Sequence, residues 1–450
     1  MKFIALSLFI TLASYIEAKD VVCYIPSWGP DVTNKVSPNY CSIFVIAFGT
    51  LDGNGNIGLP DNFANFKKLK TANSKLVLAI GGATAGTSVF KQNAATAASR
   101  ARFAKNALNV LVSNGLDGID IDWEFPDATD RSTFVALHSD LKASLGSKYI
   151  VSTAVSVGQW LVSTNNVYDI AGLGRAVDHI NLMAYDMHMD EGWDSSFGVS
   201  FNAPINANSG DSVDKGINLF LQGGAPASKL VVGVPFYGRQ YQLADSNRVS
   251  PGSPFIGGHQ ASDVNYTPAY QSYCSKLTNS AWTKQRDATA KAPYMYSGNM
   301  WMSYEDQTSI TDKANLAIKY NLGGVMTWAL HQDDYDGICS SCKWPLLNAL
   351  SVAVGRISSS SACKTSSAST GSSGTVPTTP PTHPSNNSGG NNASGTTLTN
   401  CGTVGLLAYQ PDCSKYLSCA SVGAKPVVMS CSSGLKWNNQ AKICDWNCVV

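Results

Sequence analysis

The sequence has little charge, no excess of either sign, and no hydrophobic run long enough to cross a membrane. Charged residues make up 14% of its 450 residues, and 32 Lys or Arg against 31 Asp or Glu give a net charge of +1. This balance provides no basic surface for nucleic acid or for an acidic membrane. An apolar run from Phe3 to Ala13 is too short to span a bilayer. We therefore predict no nucleic-acid partner and no membrane partner.

The N-terminus resembles a secretory signal peptide. Met1-Lys2 precedes the apolar run, and Ile16-Glu17-Ala18 offers a small residue for cleavage, so the predicted signal covers residues 1–18. A membrane anchor is the alternative, and the short run argues against it. The 12 cysteines also fit an oxidising destination. We expect a secreted, extracellular protein.

Histidine is scarce and the cysteine spacing does not suggest a metal site. None of the 6 histidines lies in an HExxH pattern, and Cys339 and Cys342 form a CxxC pair without a matching second pair. We predict no catalytic metal and no cofactor.

One acidic stretch, Asp117 to Pro126, alternates carboxylates with apolar residues. Asp120, Asp122 and Glu124 are separated by Ile121 and Trp123. In a strand the three carboxylates would share one face. A solvated strand is the alternative, but a purely acidic face would suffer like-charge repulsion without gain. Crowded carboxylates cannot all ionise, so one stays protonated near neutral pH, and Glu124 at the end of the strand is placed to donate that proton.

Strand-like and helix-like runs alternate from residue 21 to about 354, which predicts an α/β fold of the (β/α)₈ barrel type. The predicted strands are 21–25, 42–48, 76–80, the acidic stretch ending at Glu124, 149–154, 179–185, 230–235 and 324–328. We also predict a helix within 95–114, ending at Gly115, and a second helix with Asp130 as its N-cap. Functional residues of such barrels gather at the carboxyl ends of the strands. The candidates there are Glu124, Met183, Tyr185, Asp186, Tyr237, Arg239 and Trp328.

The composition changes after Gly355. Residues 356–399 are rich in Ser, Thr, Pro, Gly and Asn, which predicts a flexible linker. Asn386 and Asn392 in the linker, and Asn265 earlier, begin N-glycosylation sequons. The tail, residues 400–450, is too short to fold without staples. Its 6 cysteines leave fifteen pairings open: Cys401, Cys413, Cys419, Cys431, Cys444 and Cys448.

The acidic stretch resembles the DxxDxDxE signature of glycoside hydrolase family 18, the chitinases. The resemblance implies that Glu124 is the general acid and that Asp122 orients the acetamido group of the substrate and shares a proton with Asp120. Tyr185 would hydrogen-bond the acetamido oxygen, with Asp186 beside it. The implied cleft residues are Tyr24, Trp28, Phe48, Gly82, Phe125, Met183, Trp193, Tyr237, Arg239 and Trp328.

The resemblance also implies an organisation. The catalytic barrel would cover residues 19–355 and include a small α+β insertion domain at about 240–303, because the gap between Arg239 and Ser303 is too long for one loop. Implied disulfides are Cys23–Cys41 and Cys274–Cys339; Cys342 and Cys363 have no family counterpart, and we pair them with each other. Cis peptide bonds are implied at Ala47–Phe48, Glu124–Phe125 and Trp328–Ala329.

The tail resembles the peritrophin-A type of chitin-binding domain. The residues that carry the resemblance, beside the cysteines, are Tyr416, Trp437, Asn438 and Trp446. The implied pairing is Cys401–Cys419, Cys413–Cys448 and Cys431–Cys444. A generic disulfide scaffold is the alternative. The position of the tail behind a linker in a chitinase-like chain favours chitin binding.

One departure from the family concerns the end of the third strand. The family commonly has Gly-Gly-Trp there, whereas this chain has Gly81-Gly82-Ala83. An aromatic residue that would stack on the leaving-group side is therefore missing.

The resemblances together predict a secreted, monomeric, endo-acting chitinase that binds chitin and chitooligosaccharides. Its retaining mechanism would use the N-acetyl group of the substrate as nucleophile. Two alternatives are a chitin-binding lectin that has lost the chemistry and an endo-β-N-acetylglucosaminidase acting on N-glycans. The complete acidic motif argues against the lectin, and the chitin-binding tail argues against the endoglycosidase.

Overall fold

The computed structural model describes residues 18–256 and 265–363 and, in the tail, residues 405–408, 415–419, 425, 427–430, 436–438 and 443–445. The predicted signal peptide up to residue 17, residues 364–399 of the predicted linker, and the sequons at Asn386 and Asn392 lie outside the described residues. The first part of the predicted linker, residues 356–363, is ordered against the first unit: it contains a short helical turn, Ser359–Ser361, and Cys363, which is disulfide-bonded to Cys342. The chain divides into two compact units at about residue 368.

The first unit is built on eight parallel strands that close into a barrel, as the sequence predicts. The strands are β1 (Asp20–Pro26), β2 (Ile43–Leu51), β3 (Lys75–Gly81), β4 (Gly118–Asp122), β5 (Ile150–Ser156), β6 (His179–Met183), β7 (Leu230–Pro235) and β8 (Gly324–Trp328). Neighbours in sequence are neighbours in space, and β1 closes the ring by pairing with both β2 and β8. A short strand, Ile57–Gly58, pairs antiparallel with the end of β2.

Helices cover the outside of the barrel. They are α1 (Thr87–Ala94), α2 (Ala97–Asn114), α3 (Arg131–Leu145), α4 (Ile170–Ala176), α5 (Val213–Gln222), α6 (Gln307–Lys319) and α7 (Pro345–Ala353). The strands are apolar on both faces because one face packs against these helices and the other fills the barrel. In β1, for example, Val21 belongs to the outer core and Val22 to the inner one. Each buried side chain of this size contributes roughly 1.5–3 kcal/mol.

Two strand ends that bear on the site differ from the prediction. Strand β4 ends at Asp122 and β6 at Met183, so Glu124 and Asp186 lie in the loops beyond them. Helix α2 ends at Asn114 as predicted, and Gly115 caps it with a φ of 68°, the left-handed conformation that glycine adopts freely. Asp130 is the N-cap residue of α3, as predicted, but its side chain makes no cap hydrogen bond to this helix and instead accepts the backbone N–H of Asp127 at 2.9 Å.

An α+β insertion follows β7 immediately. It contains a four-stranded antiparallel sheet with Arg239–Gln242 at one edge, then Met300–Ser303, Pro293–Ser297 and Thr283–Arg286, and a short helix, Tyr270–Tyr273. The sheet packs around buried Tyr241 and Trp301. Because the first of its strands begins four residues after Pro235, the insertion rises from the carboxyl end of the barrel.

Three disulfides lie in the first unit: Cys23–Cys41, Cys274–Cys339 and Cys342–Cys363. These are the pairs given in the sequence analysis. In the part of the chain that the structure describes, no helix has the length and apolar character that a membrane crossing requires.

The second unit contains short antiparallel strands. Gly405–Ala408, Lys415–Cys419 and Val427–Ser430 form one sheet, and Lys436–Asn438 pairs with Ile443–Asp445. Tyr416, Trp437 and Asn438 lie on these strands, whereas Trp446 and the cysteine pairing predicted for the tail fall outside what the structure describes.

Candidate active site

A cleft of about 490 Å³ opens at the carboxyl ends of the barrel strands. It is lined mainly by residues that the sequence predicts for the site: Tyr24, Trp28, Phe48, Asp122, Glu124, Phe125, Met183, Tyr185, Asp186 and Trp328. Parallel strands bring these residues together because their carboxyl ends meet at one face of the barrel. Four other residues predicted for the site do not line the cleft. Asp120 lies beneath it, and the other three contact residues of the lining: Gly82, Tyr237 and Arg239. The side chain of Trp193 is not among those described.

Asp120 lies beneath the cleft and is fully buried. Its carboxylate accepts hydrogen bonds from Ser152 Oγ at 2.6 Å, Tyr24 Oη at 2.8 Å and Asn181 Nδ2 at 3.2 Å. Burial raises the pKa of Asp120, and these three donors oppose the rise by stabilising its charged form. Asp120 is therefore held in place by three neighbours.

Asp122 has no such set of donors. It is 3% exposed, and its Oδ1 is buried without a hydrogen-bond partner among the described residues. Burial raises its pKa well above the usual range, and the charges of Glu124 and Asp120 raise it further. A buried carboxyl oxygen without a partner is costly, so the site favours either a proton on Asp122 or a donor brought in by a ligand.

Glu124 stands at the mouth of the cleft, two residues beyond β4. Burial raises its pKa to about 7, and the charge of Asp186 adds to this rise. The sequence predicts that the neighbouring aspartates of the strand raise this pKa. In the structure burial is the larger cause, and the charge that adds to it is that of Asp186, in the loop after β6. A carboxyl group with this pKa is half protonated near neutral pH, which suits both donating and accepting a proton.

Asp186 is held by two residues that were predicted to line the cleft. Arg239 forms an ion pair with Asp186 Oδ1 at 2.5 Å, and Tyr237 Oη donates to the same oxygen at 2.6 Å. The backbone of Asp186 has a positive φ of 58°, a conformation that Asp and Asn tolerate better than other side chains. Tyr237 and Arg239 thus do not line the cleft themselves. They hold the Asp186 carboxylate, whose charge raises the pKa of Glu124.

Tyr185 lines the cleft, and its ring centroid lies 6.2 Å from that of Tyr237. Burial, followed by the charge of Asp122, raises the pKa of its hydroxyl well above the usual range. The hydroxyl therefore remains protonated and can donate a hydrogen bond to a bound oxygen.

Aromatic rings form the floor and one end of the cleft. Phe48 stacks on Trp28 and on Trp328, with ring centroids 5.9 Å and 5.8 Å apart. Gly82 has a φ of 82°, and a Cβ there would lie 2.4 Å from the Phe48 ring, so only glycine fits beside this floor. The peptide bonds Ala47–Phe48, Glu124–Phe125 and Trp328–Ala329 are cis, as the family resemblance implies.

Six further lining residues were not predicted: Ala83, Thr84, Ala154, Ser156, Met189 and Met326. Two of them carried a usable signal. Ser156 is the last residue of β5, and Ala154 is two residues earlier on the same face, so the strand-end rule and the alternation of the strand would have found both. Met189 lies in a loop whose path the sequence does not predict.

The described residues include one group with the spacing of metal ligands, Cys274, Asp334 and Cys339. The two sulfurs are joined to each other in a disulfide, so neither is a thiolate that could bind a metal.

Comparison with known proteins gives two family matches. Residues 20–333 match Glycosyl hydrolases family 18, and residues 401–449 match the Chitin binding Peritrophin-A domain. Chitotriosidase-1 of Mus musculus is 33% identical over 373 residues, covering 74% of this chain and 78% of that protein.

Solved structures are similar over the first unit. The Group IV chitinase of Ostrinia furnacalis in complex with allosamidin is 30% identical with a TM-score of 0.69, covering 77% of this chain and 100% of that one. Human YKL-39, described as a pseudo-chitinase with retained chitooligosaccharide binding, is 25% identical with the same TM-score of 0.69, covering 75% of this chain and 100% of that one.

Proposed function

The chain belongs to glycosyl hydrolase family 18, and from this premise we propose that it is a secreted, monomeric chitinase. It hydrolyses β-1,4-linked N-acetylglucosamine polymers from within the chain, with retention at the anomeric carbon. The observation that carries the proposal is the pairing of two different carboxyl groups in one cleft. Asp122 is buried, with one oxygen that has no partner in the described part of the chain, and burial with the charge of Asp186 raises the pKa of Glu124 to about 7.

The first chemical step uses Glu124 as an acid. It donates its proton to the glycosidic oxygen, the bond to the anomeric carbon breaks, and the alcohol leaves. The carbonyl oxygen of the substrate's own acetamido group attacks the anomeric carbon and forms an oxazolinium ion. Asp122 accepts a hydrogen bond from the acetamido N–H and stabilises the positive charge that develops there, while the Tyr185 hydroxyl donates a hydrogen bond to the acetamido oxygen.

The second step reverses the role of Glu124. Now ionised, it takes a proton from water, and the water oxygen adds to the anomeric carbon as the oxazolinium ring opens. Because the attack comes from the side opposite to the acetamido oxygen, the original configuration returns. The mechanism requires an N-acetyl group on the sugar at the cleavage point, so a fully deacetylated polymer is not a substrate.

A non-catalytic chitin lectin is the second candidate, because one similar solved structure is described as a pseudo-chitinase. The catalytic reading is supported by the acidic residues that this chain retains at positions 120, 122 and 124. Incubating the protein with chitin oligomers decides between them: release of shorter oligomers supports the enzyme, and binding without new products would support the lectin.

We predict that Asp186→Asn moves the alkaline limb of the pH–activity profile to lower pH. The charge of Asp186 raises the pKa of Glu124, so its removal lets this pKa fall, and Glu124 loses its proton at a lower pH. Activity that depends on protonated Glu124 is present below this pKa and is lost as pH rises through it. Asn keeps an oxygen acceptor for Tyr237 and tolerates the positive φ. The measurement is kcat on chitin oligomers as a function of pH.

Arg239→Gln serves as the opposing variant for this experiment. It leaves the charge of Asp186 without its partner, so the alkaline limb is expected to move to higher pH. If the alkaline limb moved in the same direction in both variants, the electrostatic assignment would be contradicted. A structural disturbance of the site would not depend on whether a negative or a positive charge had been removed.

Deleting residues 400–450 is expected to weaken binding to insoluble chitin by about tenfold or more, because a tethered second module raises the effective concentration at the surface. Turnover of soluble oligomers should stay at the level of the full chain, since the cleft lies wholly in the first unit. A sedimentation assay with solid chitin measures the first effect and an oligomer assay the second. Equal sedimentation of the two proteins would remove the tail from the proposal.

A further inference from the structure

One face of helix α1 packs against the segment that carries Glu124. Thr87, Phe90 and Lys91 are three and four residues apart, so their side chains share this face. The Phe90 ring stacks on the ring of Trp123, with centroids 5.3 Å apart and planes inclined by 12°. Because Trp123 immediately precedes Glu124, the packing of α1 reaches the residue next to the proposed acid.

The Thr87 hydroxyl forms hydrogen bonds with both neighbours of Glu124. The indole N–H of Trp123 donates to Thr87 Oγ1 at 2.5 Å, and Thr87 Oγ1 donates to the backbone carbonyl of Phe125 at 3.3 Å. A hydroxyl group has one proton to donate and lone pairs that accept, so the two hydrogen bonds can form together. One side chain therefore holds the segment on either side of Glu124.

Other contacts of this segment differ in how firmly they hold it. Trp123 is 1% exposed, and the Phe134 ring of α3 meets it edge-on with centroids 5.7 Å apart. Further along, Lys91 forms an ion pair with Asp127 at 2.6 Å, but both side chains are exposed, and exposed pairs contribute little. The polar contact that matters most for the segment is therefore the one made by the Thr87 hydroxyl.

Glu124 has few contacts of its own that fix its position. It lies two residues beyond the last residue of β4, so the hydrogen bonds of the barrel sheet do not hold its backbone. Within the described part of the chain, burial and the charge of Asp186 act on its carboxyl group, and no side chain forms a hydrogen bond with it. Asp120, by contrast, is held by three donors. The position of the Glu124 carboxyl group therefore depends on the backbone of its neighbours.

We propose that Thr87 is a positioning residue for Glu124: its hydroxyl holds the segment from Trp123 to Phe125 so that the Glu124 carboxyl group meets the glycosidic oxygen. This inference rests on the proposed function, because that function supplies the acid to be positioned. Thr87 does not line the cleft, so it acts through the segment and not on the substrate. A displacement of about 1 Å in a reacting group can cost roughly 100-fold in rate, so the hydroxyl contributes to kcat and little to KM.

The test compares Thr87→Val, which keeps the shape and removes the hydroxyl, with Thr311→Val as a matched control. Thr311 is also a half-buried helical residue whose hydroxyl donates to a backbone carbonyl, at 2.7 Å, but it lies on α6 and does not line the cleft. Thr87→Val is expected to lower kcat on chitin oligomers about 10- to 100-fold with little change in KM. Thr87→Ser keeps the hydroxyl and should restore most of the activity, and Thr311→Val should keep the kcat of the wild type.

Combining Thr87→Val with Glu124→Gln shows whether the loss acts through Glu124. Once the acid is gone there is little left to position, so Thr87→Val should lower kcat far less in the Glu124→Gln background than in the wild type. An aryl chitobioside tests the same point from the substrate side, because its phenolate leaves with less need of a proton and should lose less from Thr87→Val. A general disturbance of the site would lower kcat by the same factor in both backgrounds and on both substrates.

The outcomes separate this inference from the proposed function. If Thr87→Val does not fold, Thr87→Ala takes its place, because the smaller side chain lets water reach the Trp123 N–H. A wild type that cleaves oligomers while the folded Thr87 variant matches Thr311→Val in kcat would overturn the positioning role alone, and so would an equal loss in both backgrounds. A wild type that releases no products would overturn the proposed function, and the positioning role would fall with it.

Discussion

Glu124→Gln is expected to lower kcat on chitin oligomers by about 10²–10⁴-fold, which is the usual contribution of a positioned general acid. The sugar alcohol that leaves is a poor leaving group without a proton. Glu124 is suited to the task because burial and Asp186 raise its pKa to about 7. Gln has the same shape but carries no transferable proton. Initial rates of product release from soluble oligomers measure the effect.

Two controls show whether this loss is chemical. Oligomer binding to Glu124→Gln should remain close to that of the wild type, because the aromatic floor of Trp28, Phe48 and Trp328 is intact. The loss in the first release step should be smaller for an aryl glycoside, whose phenolate leaves with less need of a proton. Equal turnover of oligomers by variant and wild type would remove Glu124 from its role, and an equal loss on both substrates would indicate a damaged site.

The sequence predicted the barrel because the signal is local and repeated. Apolar runs such as Val21–Ile25 and Leu230–Pro235 are short, continuous and bounded by turn residues, as strands buried on both faces require. Both family resemblances, of the barrel and of the tail, are confirmed by the matches to residues 20–333 and 401–449. The motif around Glu124 needed no tertiary information, since three carboxylates at alternate positions stand within five residues of the sequence.

The electrostatics of the site were harder to predict, because they depend on contacts between distant segments. Asp186, in the loop after β6 and 62 residues further along the chain, raises the pKa of Glu124. Arg239, in the insertion, forms the ion pair with Asp186. Likewise, the three donors to Asp120 come from β1, β5 and β6. The sequence identifies such residues as polar and near strand ends but does not say which of them meet.

The same reasoning explains why Tyr237 and Arg239 were assigned to the cleft lining. Both follow a strand end, and the strand-end rule places them at the correct face of the barrel. The insertion begins at Arg239, and its first strand turns these side chains toward Asp186 instead of the open cavity. The strand-end rule gives the face of the barrel on which a residue lies. It does not give the direction of the side chain, which here depends on the insertion that follows the strand.

Asp122→Asn is expected to lower kcat by about 10²–10³-fold with a much smaller change in KM, which is typical of losing a group that stabilises developing charge. Asp122 Oδ1 is buried and has no hydrogen-bond partner among the residues that the structure describes, and the charges of Glu124 and Asp120 raise its pKa further. The acetamido N–H of the substrate would supply that partner. Asn retains the shape, but it cannot become the anion that balances the oxazolinium ion.

A stability measurement separates this chemical effect from a folding defect. Because Asp122 is a buried carboxyl group with few favourable partners, replacing it with a neutral amide is expected to leave the melting temperature unchanged or raise it. Asp120→Asn is the matched comparison: it places an amide against the donors Ser152, Tyr24 and Asn181 and should lower the melting temperature. The contradicting result is a folded Asp122→Asn protein whose kcat is within about threefold of the wild type, a much smaller loss than expected. It would argue against substrate-assisted catalysis, because the oxazolinium ion would then form without its counter-charge.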